Sequence, residues 1–331
     1  MTGKLLIDGI DVWTAYRAYV EKNGWNGLLS FPSLKQPDTN DWHEYDGLEV
    51  DLDNPVLDTR ELTLSLASET IEGYRSVVSL MGQEKSVHTL TCLGRTFKLR
   101  MTHVPSLTIS RGMSKFNLKL QYDSPLITSY VAPVADYQTF GDYYILGGLG
   151  TSQNPVSRSL AAYGISVLGG SQAEVEKSPS VKPNLTVNIA SQSGAQYDDA
   201  PVVYQARDVR LNCLMRTNTL SGMWRNLDAL LYDLVRPNAR TLNGFECYYK
   251  SMSVSEFYPD GAPWLRFALT LCFFGGGARL WRIKCVSCPT ARFVRQTGIL
   301  CISVHKETNK KQFRHGSIIM GRVPNHSCYI G

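Results

Sequence analysis

Two stretches of the chain share the alternation of apolar and polar residues that is typical of a strand with one buried face. The segments PVLDTRELTLSL (55–66) and PVVYQARDVRLNCL (201–214) both begin with Pro-Val and contain an Arg-acid pair, which starts at Arg60 in one and at Arg207 in the other. After each pair, apolar residues occupy every second position, a period that puts them on one side of a strand. The two segments therefore predict equivalent half-buried strands.

An amphipathic helix is predicted after each of these strands. Thr70 and Thr219 are suitable N-caps, because a threonine hydroxyl accepts a hydrogen bond from an unpaired N–H of the first turn. The apolar residues that follow have the spacing i, i+3, i+7 and i+10 in both places, which puts four side chains on one helical face. They are Ile71, Tyr74, Val78 and Met81 in one segment and Leu220, Met223, Leu227 and Leu230 in the other. We expect helices over residues 70–82 and 219–234.

Three further pairs of segments match in the same order along the chain, which indicates an internal duplication. They are HTLTCLGRTFKLRM (88–101) with RTLNGFECYYKSM (240–252), FNLKLQY (116–122) with FALTLCF (267–273), and DGIDV (8–12) with YGISV (163–167). The fold class that follows is mainly β (β+α), with two tandem β-sandwich or barrel domains that each carry one packed helix. The predicted parts are a first copy over 1–130, a linker or exposed arm over 131–157, a second copy over 158–275 and a C-terminal extension over 276–331.

Charge is distributed unevenly along the chain. Residues 276–331 hold ten Lys and Arg and one acidic residue, whereas residues 1–275 hold 24 basic and 28 acidic residues. The body therefore lacks the basic excess of a general nucleic-acid-binding surface. Acidic residues concentrate in a long loop, 36–58, and a second long loop is predicted over 169–184. Within the acidic loop, DGLEVDLD predicts an exposed edge strand whose charges discourage mispairing, which makes interface candidates of Asp46, Glu49, Asp51 and Asp53.

The sequence contains none of the common catalytic motifs. There is no Walker loop, GxGxxG, GxSxG or HExxH, and the second copy contains no histidine. Arg60 and Arg207 are the charged residues that the copies share, and each is expected to form an ion pair at the start of its strand, the alternative being a site for a carboxylate or phosphate. We therefore expect a structural protein without a catalytic or cofactor-binding site, and an unfamiliar enzyme is the weaker alternative.

The C-terminal extension contains one group of residues with metal-ligand spacing. Two residues separate Cys285 from Cys288, and Cys301 and His305 follow after twelve more residues. Thiolates and an imidazole at this spacing can surround a tetrahedral Zn²⁺. The alternative is an appendage with reduced cysteines, which suits a chain without a recognisable secretion signal or an apolar segment long enough to span a membrane.

Six tryptophans offer a second functional class, because aromatic rings on the surface of β domains can stack on sugars. Trp13, Trp25 and Trp42 fall in the first copy, and Trp224 and Trp264 fall in the second at places that are not equivalent. Packing in the core or at an interface is therefore the better interpretation. A carbohydrate-binding or receptor-binding tail protein remains the alternative function.

The order of segments resembles the tail-tube fold of bacteriophages. The resemblance lies in DGIDV (8–12), TRELTLSL (59–66), the amphipathic helix that follows and the paired strands after it, and it is greatest to distal tail proteins and baseplate hub components. It implies a virion tail protein, assembled in the bacterial cytoplasm, whose copies form a trimeric or hexameric ring around the DNA channel. Its partners would be the tail tube and tip proteins, with DNA passing through unbound and no membrane contact.

Overall fold

The computed structural model describes residues 3–82, 86–123, 125, 130–137, 139, 143–150, 154, 156–183, 186–197, 202–275, 294–296 and 299–301. The chain divides into two compact units, Met1–Arg279 and Leu280–Gly331. In the second unit, the described backbone forms one antiparallel pair of strands, Val294–Gln296 with Ile299–Cys301.

The first half of the larger unit is built around a seven-stranded antiparallel sheet. Its elements are β1 (Leu5–Ile7), β2 (Ile10–Asp11), α1 (Val12–Tyr16), β3 (Ala18–Val20), α2 (Asn26–Leu29), β4 (Thr39–Asn40), β5 (Glu49–Val50), β6 (Arg60–Ser68), α3 (Ile71–Gly82), β7 (His88–Cys92), β8 (Arg95–Ser110) and β9 (Met113–Tyr122). The strand order is β2-β1-β7-β8-β9-β6-β3, and β4 and β5 form a separate hairpin.

The second half repeats this arrangement. Its elements are β10 (Ile145–Gly147), β11 (Arg158–Ser159), a 3₁₀ helix (Leu160–Tyr163), β12 (Ile165–Val167), α4 (Ser171–Glu176), β13 (Thr186–Asn188), β14 (Ala195–Tyr197), β15 (Arg207–Arg216), α5 (Leu220–Leu234), β16 (Arg240–Leu242), β17 (Phe245–Tyr258) and β18 (Trp264–Phe273). The order β11-β10-β16-β17-β18-β15-β12 matches the first sheet strand for strand, with β13 and β14 as the separate hairpin. The fold is mainly β, and we call the two halves the first and second copy.

Each sheet curls until its edge strands approach each other. In the first copy β2 ends at Asp11 and β3 begins at Ala18, with only α1 between them. A flat sheet of seven strands would hold its edges about 29 Å apart, whereas a helix of five residues spans about 7.5 Å. In the second copy the 3₁₀ helix connects β11 to β12 in the same way. Each copy is therefore one curled, barrel-like sheet.

The two predicted helices are confirmed, together with their caps. The hydroxyl of Thr70 accepts the N–H of Gly73, and that of Thr219 accepts the N–H of Gly222, each at 3.0 Å. In α5 the predicted Met223, Leu227 and Leu230 are buried. In α3 the predicted Met81 is buried, but the other buried side chain, Val77, was not on the predicted face. The matched segments 88–101 and 240–252 form equivalent hairpins: β7–β8 turns at Leu93-Gly94 and β16–β17 at Asn243-Gly244, with positive φ at all four residues. That backbone geometry is typical of a two-residue turn that matches the twist of its strands.

The predicted match of DGIDV (8–12) with YGISV (163–167) is wrong. YGISV contains β12, whose counterpart in the first sheet is β3, so the equivalent segment is YRAYV (16–20). Arg17 and Gly164 hold the same left-handed position, with φ of 51° and 69°, where the preceding helix ends. An arginine in one copy and a glycine in the other hid this equivalence from sequence comparison.

Residues 131–157, predicted as a linker or arm, contain part of the second copy. Ile145–Gly147 forms β10, which is hydrogen-bonded between β11 and β16. Upstream of it, the N–H of Val134 donates to Oδ1 of the buried Asn226 at 2.7 Å, and Nδ2 of Asn226 donates back to the Val134 carbonyl at 2.8 Å. The second sheet therefore begins before the predicted boundary at residue 158, in strands too short to give an alternating pattern.

A buried carboxylate joins α5 to the start of the second copy. Asp233 is buried and accepts hydrogen bonds from the Tyr163 hydroxyl at 2.6 Å and from Arg158, and Arg236 lies 3.7 Å away. Asp233→Asn keeps the size of the side chain but removes the charge that two guanidinium groups face. We expect it to lower the free energy of unfolding by about 2 kcal/mol, because the arginines are partly exposed and regain some hydration. Urea denaturation measures this, and Tyr163→Phe, which removes one hydrogen bond to the carboxylate and leaves both arginines in place, should cost about 1.5 kcal/mol.

Candidate functional site

The candidate site is an interface inside the chain, where residues of the first copy cover an edge of the second. Strand β17 pairs with β16 only as far as Cys247, so one edge of its remaining length has no partner from its own sheet. Phe31 of the first copy forms a β-bridge with Met252 on this edge. The N–H of Leu34 donates to the Lys250 carbonyl at 2.9 Å. The first copy thus adds an extended segment to the sheet of the second.

Apolar and polar contacts hold this segment in place. The ring of Phe31 meets that of Tyr249 edge to face, with centroids 6.5 Å apart. The buried Tyr249 hydroxyl donates to the Pro32 carbonyl at 2.7 Å, and the N–H of Val254 donates to Ser30 Oγ at 3.0 Å. Helix α2, with Leu28 buried, contacts β17 beside them. The interface therefore has a core like that of a domain interior.

Arg60 holds the docking segment of the first copy and Arg207 holds its counterpart in the second, and the expected ion pairs with neighbouring acids are wrong. The Arg60 guanidinium donates to the carbonyls of Leu28 and Ser30 at the end of α2. Arg207 donates in the same way to the carbonyls of Glu174 and Val175 at the end of α4, both at 2.6 Å. Burial lowers the pKa of Arg60 to about 10. Both arginines thus position the short helix that follows the second edge strand of each sheet, β3 or β12.

The acidic neighbours of these arginines pair with lysines across the sheet. Glu61 meets Lys119 at 2.5 Å, and Asp208 meets Lys250 at 2.7 Å. All four side chains are at least partly exposed, so each pair contributes little to stability. The arginine and the acid of the shared motif therefore have separate roles, which adjacency in sequence does not reveal.

The acidic loop of the first copy encloses a lysine of the second. Lys182 is 4% exposed. Its ammonium donates to Asp41 Oδ1 at 2.5 Å and to the carbonyls of Trp42, Tyr45 and Gly47 at 2.7, 2.8 and 2.9 Å. A buried ammonium needs such a set of acceptors, because an unpaired buried charge is strongly destabilising. The acidic loop around Lys182 therefore holds the two copies together, and we call this arrangement the lock.

The acidic interface candidates divide between this lock and the surface. Asp46 Oδ1 accepts the N–H of Tyr204 in the second copy at 2.9 Å. Glu49 accepts the Trp42 indole N–H at 2.7 Å, which lowers the pKa of its carboxyl. Asp51 accepts the backbone N–H of Asp53 at 3.0 Å within the loop. Asp46 alone of the four bonds directly across the interface among the described residues.

The predicted exposed edge strand in this loop is wrong, because the loop packs on the second copy. Leu52 is buried in a small cluster with Tyr248, Cys272 and Phe274. The N–H of Leu48 donates to the Phe274 carbonyl at 3.0 Å. The alternation of apolar and acidic residues therefore marks an interface strand, with apolar residues against the second copy and acids toward solvent.

A third contact joins the β7–β8 turn of the first copy to α5. Arg95 pairs with Asp228 at 2.6 Å, and its guanidinium lies 4.7 Å from the ring centre of Trp224. The Trp224 indole N–H donates to the Leu93 carbonyl at 2.8 Å. The first copy contributes the β7–β8 turn, the docking segment and the acidic loop to these contacts. The second copy contributes α5, β17 and Lys182. The interface therefore joins two different surfaces of one domain type.

One repeated motif at this site escaped the sequence comparison. FPSLK (31–35) and SPSVK (178–182) hold the same place, since Leu34 bridges Leu57 and Val181 bridges Tyr204. The counterpart of the acidic loop is consequently the loop after residue 182, and the long loop predicted over 169–184 instead contains α4. The signal was present in the shared Pro-Ser and Lys, but both segments lack strand or helix periodicity.

The remaining candidates do not form a ligand site in the described part of the chain. Cys285, Cys288 and His305 lie outside the described residues, and only the backbone of Cys301 is described. Among described residues, no group of three or more His, Cys, Asp or Glu is placed to hold a metal ion. No described helix has the length and apolar character needed to cross a bilayer.

The tryptophans do not provide matching surfaces on the two copies. Trp25 and Trp224 are buried, as the packing interpretation predicts, whereas Trp42 is 52% exposed on the acidic loop. The described part of the second copy has no exposed tryptophan. A pair of equivalent sugar-stacking platforms is therefore absent from these residues.

The fold and this interface define a duplicated β domain whose copies join head to tail. No protein-family model matches the chain, and no curated protein matches it. Among solved structures, the chain is similar to the Dit protein (gp 19.1) of SPP1, described as a paradigm of the hub adsorption apparatus in phages that infect Gram-positive bacteria. The identity is 12%, the match covers 81% of this chain and 97% of that one, and the TM-score is 0.28. So low a score carries no argument about function.

Proposed function

We propose that this chain is a structural component of a phage or prophage tail tip or baseplate, which forms a ring around the DNA channel and connects the tail tube to the tip. The observation that carries the proposal is the head-to-tail contact between two copies of one domain in a single chain. The resemblance of the segment order to the tail-tube fold supports the same assignment. A repeated head-to-tail contact closes into a ring when its rotation divides a full turn and gives an open filament when it does not, and the proposal is the closed form.

The duplication favours a trimer with six tube-like domains, and a hexamer with an outer layer is the alternative. In either case the partners are other copies of the chain and the neighbouring tail tube and tip proteins. DNA passes through without specific binding, because phosphate contacts require lysines and arginines, and residues 1–275 carry more acidic than basic groups. The protein would belong to the virion tail and assemble in the bacterial cytoplasm.

The proposed role is structural, without catalysis. Four thiols in the described part of the chain are buried in the copies: Cys92, Cys213, Cys247 and Cys272. Burial raises the pKa of Cys92 and of Cys247 to about 12, so these thiols stay protonated and unreactive at neutral pH. The charged residues at the interface are engaged in holding segments together.

Gold-labelled antibodies against the full chain test this function on phage particles that encode it. We expect the label at the tail tip in electron micrographs, at one end of the tube. Preimmune serum is the control and should leave the particles unlabelled. Label on the capsid, or particles without the protein, would contradict the proposed function.

A further inference from the structure

The first copy has a strand edge that is equivalent to the covered edge of β17 but has no cover. Strand β8 pairs with β7 only over Arg95–Leu99, so its length beyond Leu99 has one edge without a strand partner from its sheet. A bulge interrupts its pairing with β9 at Thr102, where β17 has a bulge at Lys250. The two edges therefore share this first bulge, but the second irregularity lies between His103 and Ser106 in β8, at Pro105, and between Val254 and Glu256 in β17.

The apolar side chains of the β8 edge are more exposed than their counterparts on β17. Pairing with β9 and β18 makes Leu107 equivalent to Val254 and Ile109 equivalent to Phe257. Val254 and Phe257 are 9% and 7% exposed, whereas Leu107 and Ile109 are 41% and 50% exposed. Apolar side chains in a row along an unpaired strand edge are unfavourable in an isolated protein. This row lies where its counterpart touches a neighbouring domain.

The segment that would cover this edge is also present and exposed, in the second copy. Leu34 and Val181 lie in equivalent β-bridges. In each bridge the hydrogen bonds to the neighbouring segment are made by the residue before and the residue after, and not by Leu34 or Val181 itself. Those bonds are Lys35 N to Val56 O and Asp58 N to Ser33 O, and Lys182 N to Val203 O and Gln205 N to Ser180 O. The N–H of Leu34 therefore points outward and reaches the Lys250 carbonyl. The N–H of Val181 points outward in the same way, and its side chain is 50% exposed.

The two parts of the lock, a lysine and a hairpin loop, also have exposed counterparts. Lys35 is equivalent to Lys182 and is exposed, where Lys182 is enclosed by the hairpin loop of the first copy. The hairpin β13–β14 of the second copy holds the place of β4–β5. It carries Val187 and Tyr197, which are 56% and 70% exposed. Both halves of a second interface are thus available on every chain, although the β13–β14 loop (189–194) offers backbone carbonyls, Ser and Gln and has no carboxylate in the place of Asp41.

We infer that the interface inside the chain is repeated between chains, with the SPSVK segment (178–182) of one chain docked along the uncovered edge of β8 in a second copy of this chain. The Val181 N–H meets the Thr102 carbonyl, and Ser178 lies opposite Val104, as Phe31 lies opposite Met252. Lys35 enters the β13–β14 loop of the neighbouring chain. This inference rests on the proposed ring and names the surface that builds it.

The contact between chains differs from the internal one at its outer margin. Tyr248 and Phe274 form an apolar cluster with Leu52 in the internal interface. The equivalent positions in the first copy hold Arg100 and Asp123, which form a partly exposed ion pair at 2.7 Å. The contact between chains therefore buries less apolar surface. Assembly is expected to depend on concentration.

Cysteine cross-linking of the full chain tests the inferred register. The double variant Ser178→Cys with Val104→Cys should form disulfides between chains under mild oxidation and give a ladder ending at the closed ring. Each single variant is the control, since it keeps all native cysteines and lacks one partner. A yield no higher in the double variant than in the single variants would overturn the register.

A charge placed on the β8 edge tests the surface itself. Leu107→Asp should shift the full chain to the monomer at concentrations where the unaltered chain is assembled, with at least a tenfold rise in the apparent dissociation constant. Val131→Asp, at an exposed apolar residue in the segment between the copies and outside the elements of either interface, is the matched control, and circular dichroism checks that both fold. Rings formed by Leu107→Asp, or an unaltered chain that stays monomeric, would overturn the inference. Tail-tip labelling in that case would leave the proposed function standing.

Discussion

Replacing Lys182 by methionine is expected to lower the free energy of unfolding of the chain by about 4 kcal/mol. The substitution removes an ammonium that is buried and donates to Asp41 and three loop carbonyls. Asp41, Trp42 and Tyr45 are exposed and can be hydrated. The cost comes from the buried Gly47 carbonyl, which loses its donor at about 1–3 kcal/mol, and from the charge-assisted hydrogen bonds that are lost, at about 1.5–3 kcal/mol each. Urea denaturation followed by tryptophan fluorescence measures the change.

Lys35→Met is the matched control, because Lys35 holds the equivalent position in the first copy and is exposed. We expect its effect on unfolding to stay within about 0.5 kcal/mol, while assembly between chains weakens. Equal destabilisation by the two substitutions would contradict the lock between the copies.

Replacing Arg60 by methionine is expected to cost about 3 kcal/mol and to loosen the docking segment. Two charge-assisted hydrogen bonds to the Leu28 and Ser30 carbonyls are lost, each of which contributes about 1.5 kcal/mol. Because α2 and Ser30 contact β17, the backbone N–H of Val254 should exchange with solvent faster. Hydrogen exchange measured by mass spectrometry on peptides of β17 detects this change.

Arg207→Met provides the comparison, since Arg207 makes the same two bonds at α4. Its side chain is less buried, so we expect a loss of about 1 kcal/mol and unchanged exchange in β17. Faster exchange of β17 peptides in the Arg207 variant, or none in the Arg60 variant, would contradict the role assigned to Arg60.

The regular elements of the fold were predictable because their side chains report their surroundings. The alternation after Arg60 and Arg207 became β6 and β15, and the helical spacing after Thr70 and Thr219 became α3 and α5. In these elements one face is buried in its own domain, so the period of the sequence equals the period of the structure. The same elements also allowed the duplication to be predicted.

The interface was not predictable, because what covers it comes from distant parts of the chain. Phe31 and Met252 are far apart in sequence, and FPSLK carries no periodic pattern that would mark it as a strand. The edge strands β2 and β11, of two residues each, are too short to give an alternation. The alternation in DGLEVDLD is clear in the sequence, but it does not show what its apolar side contacts. The segment therefore lies at an interface, although an edge facing solvent was predicted.

The arginines illustrate why a shared motif does not reveal its role. Arg60 and Glu61 are adjacent in sequence, but neighbouring residues of a strand point to opposite faces of the sheet. Arg60 therefore reaches the carbonyls of α2, and Glu61 reaches Lys119 on the other face. Only the fold separates these two environments.

The mass of the full chain in solution, measured by light scattering from dilute to high micromolar concentration, tests the head-to-tail ring most directly. The ring predicts a rise from the 36.9 kDa of one chain to a plateau at three times that mass, with no growth beyond it because the contact closes. A mass that stays at one chain over the whole range, or that grows without a plateau, would contradict the ring.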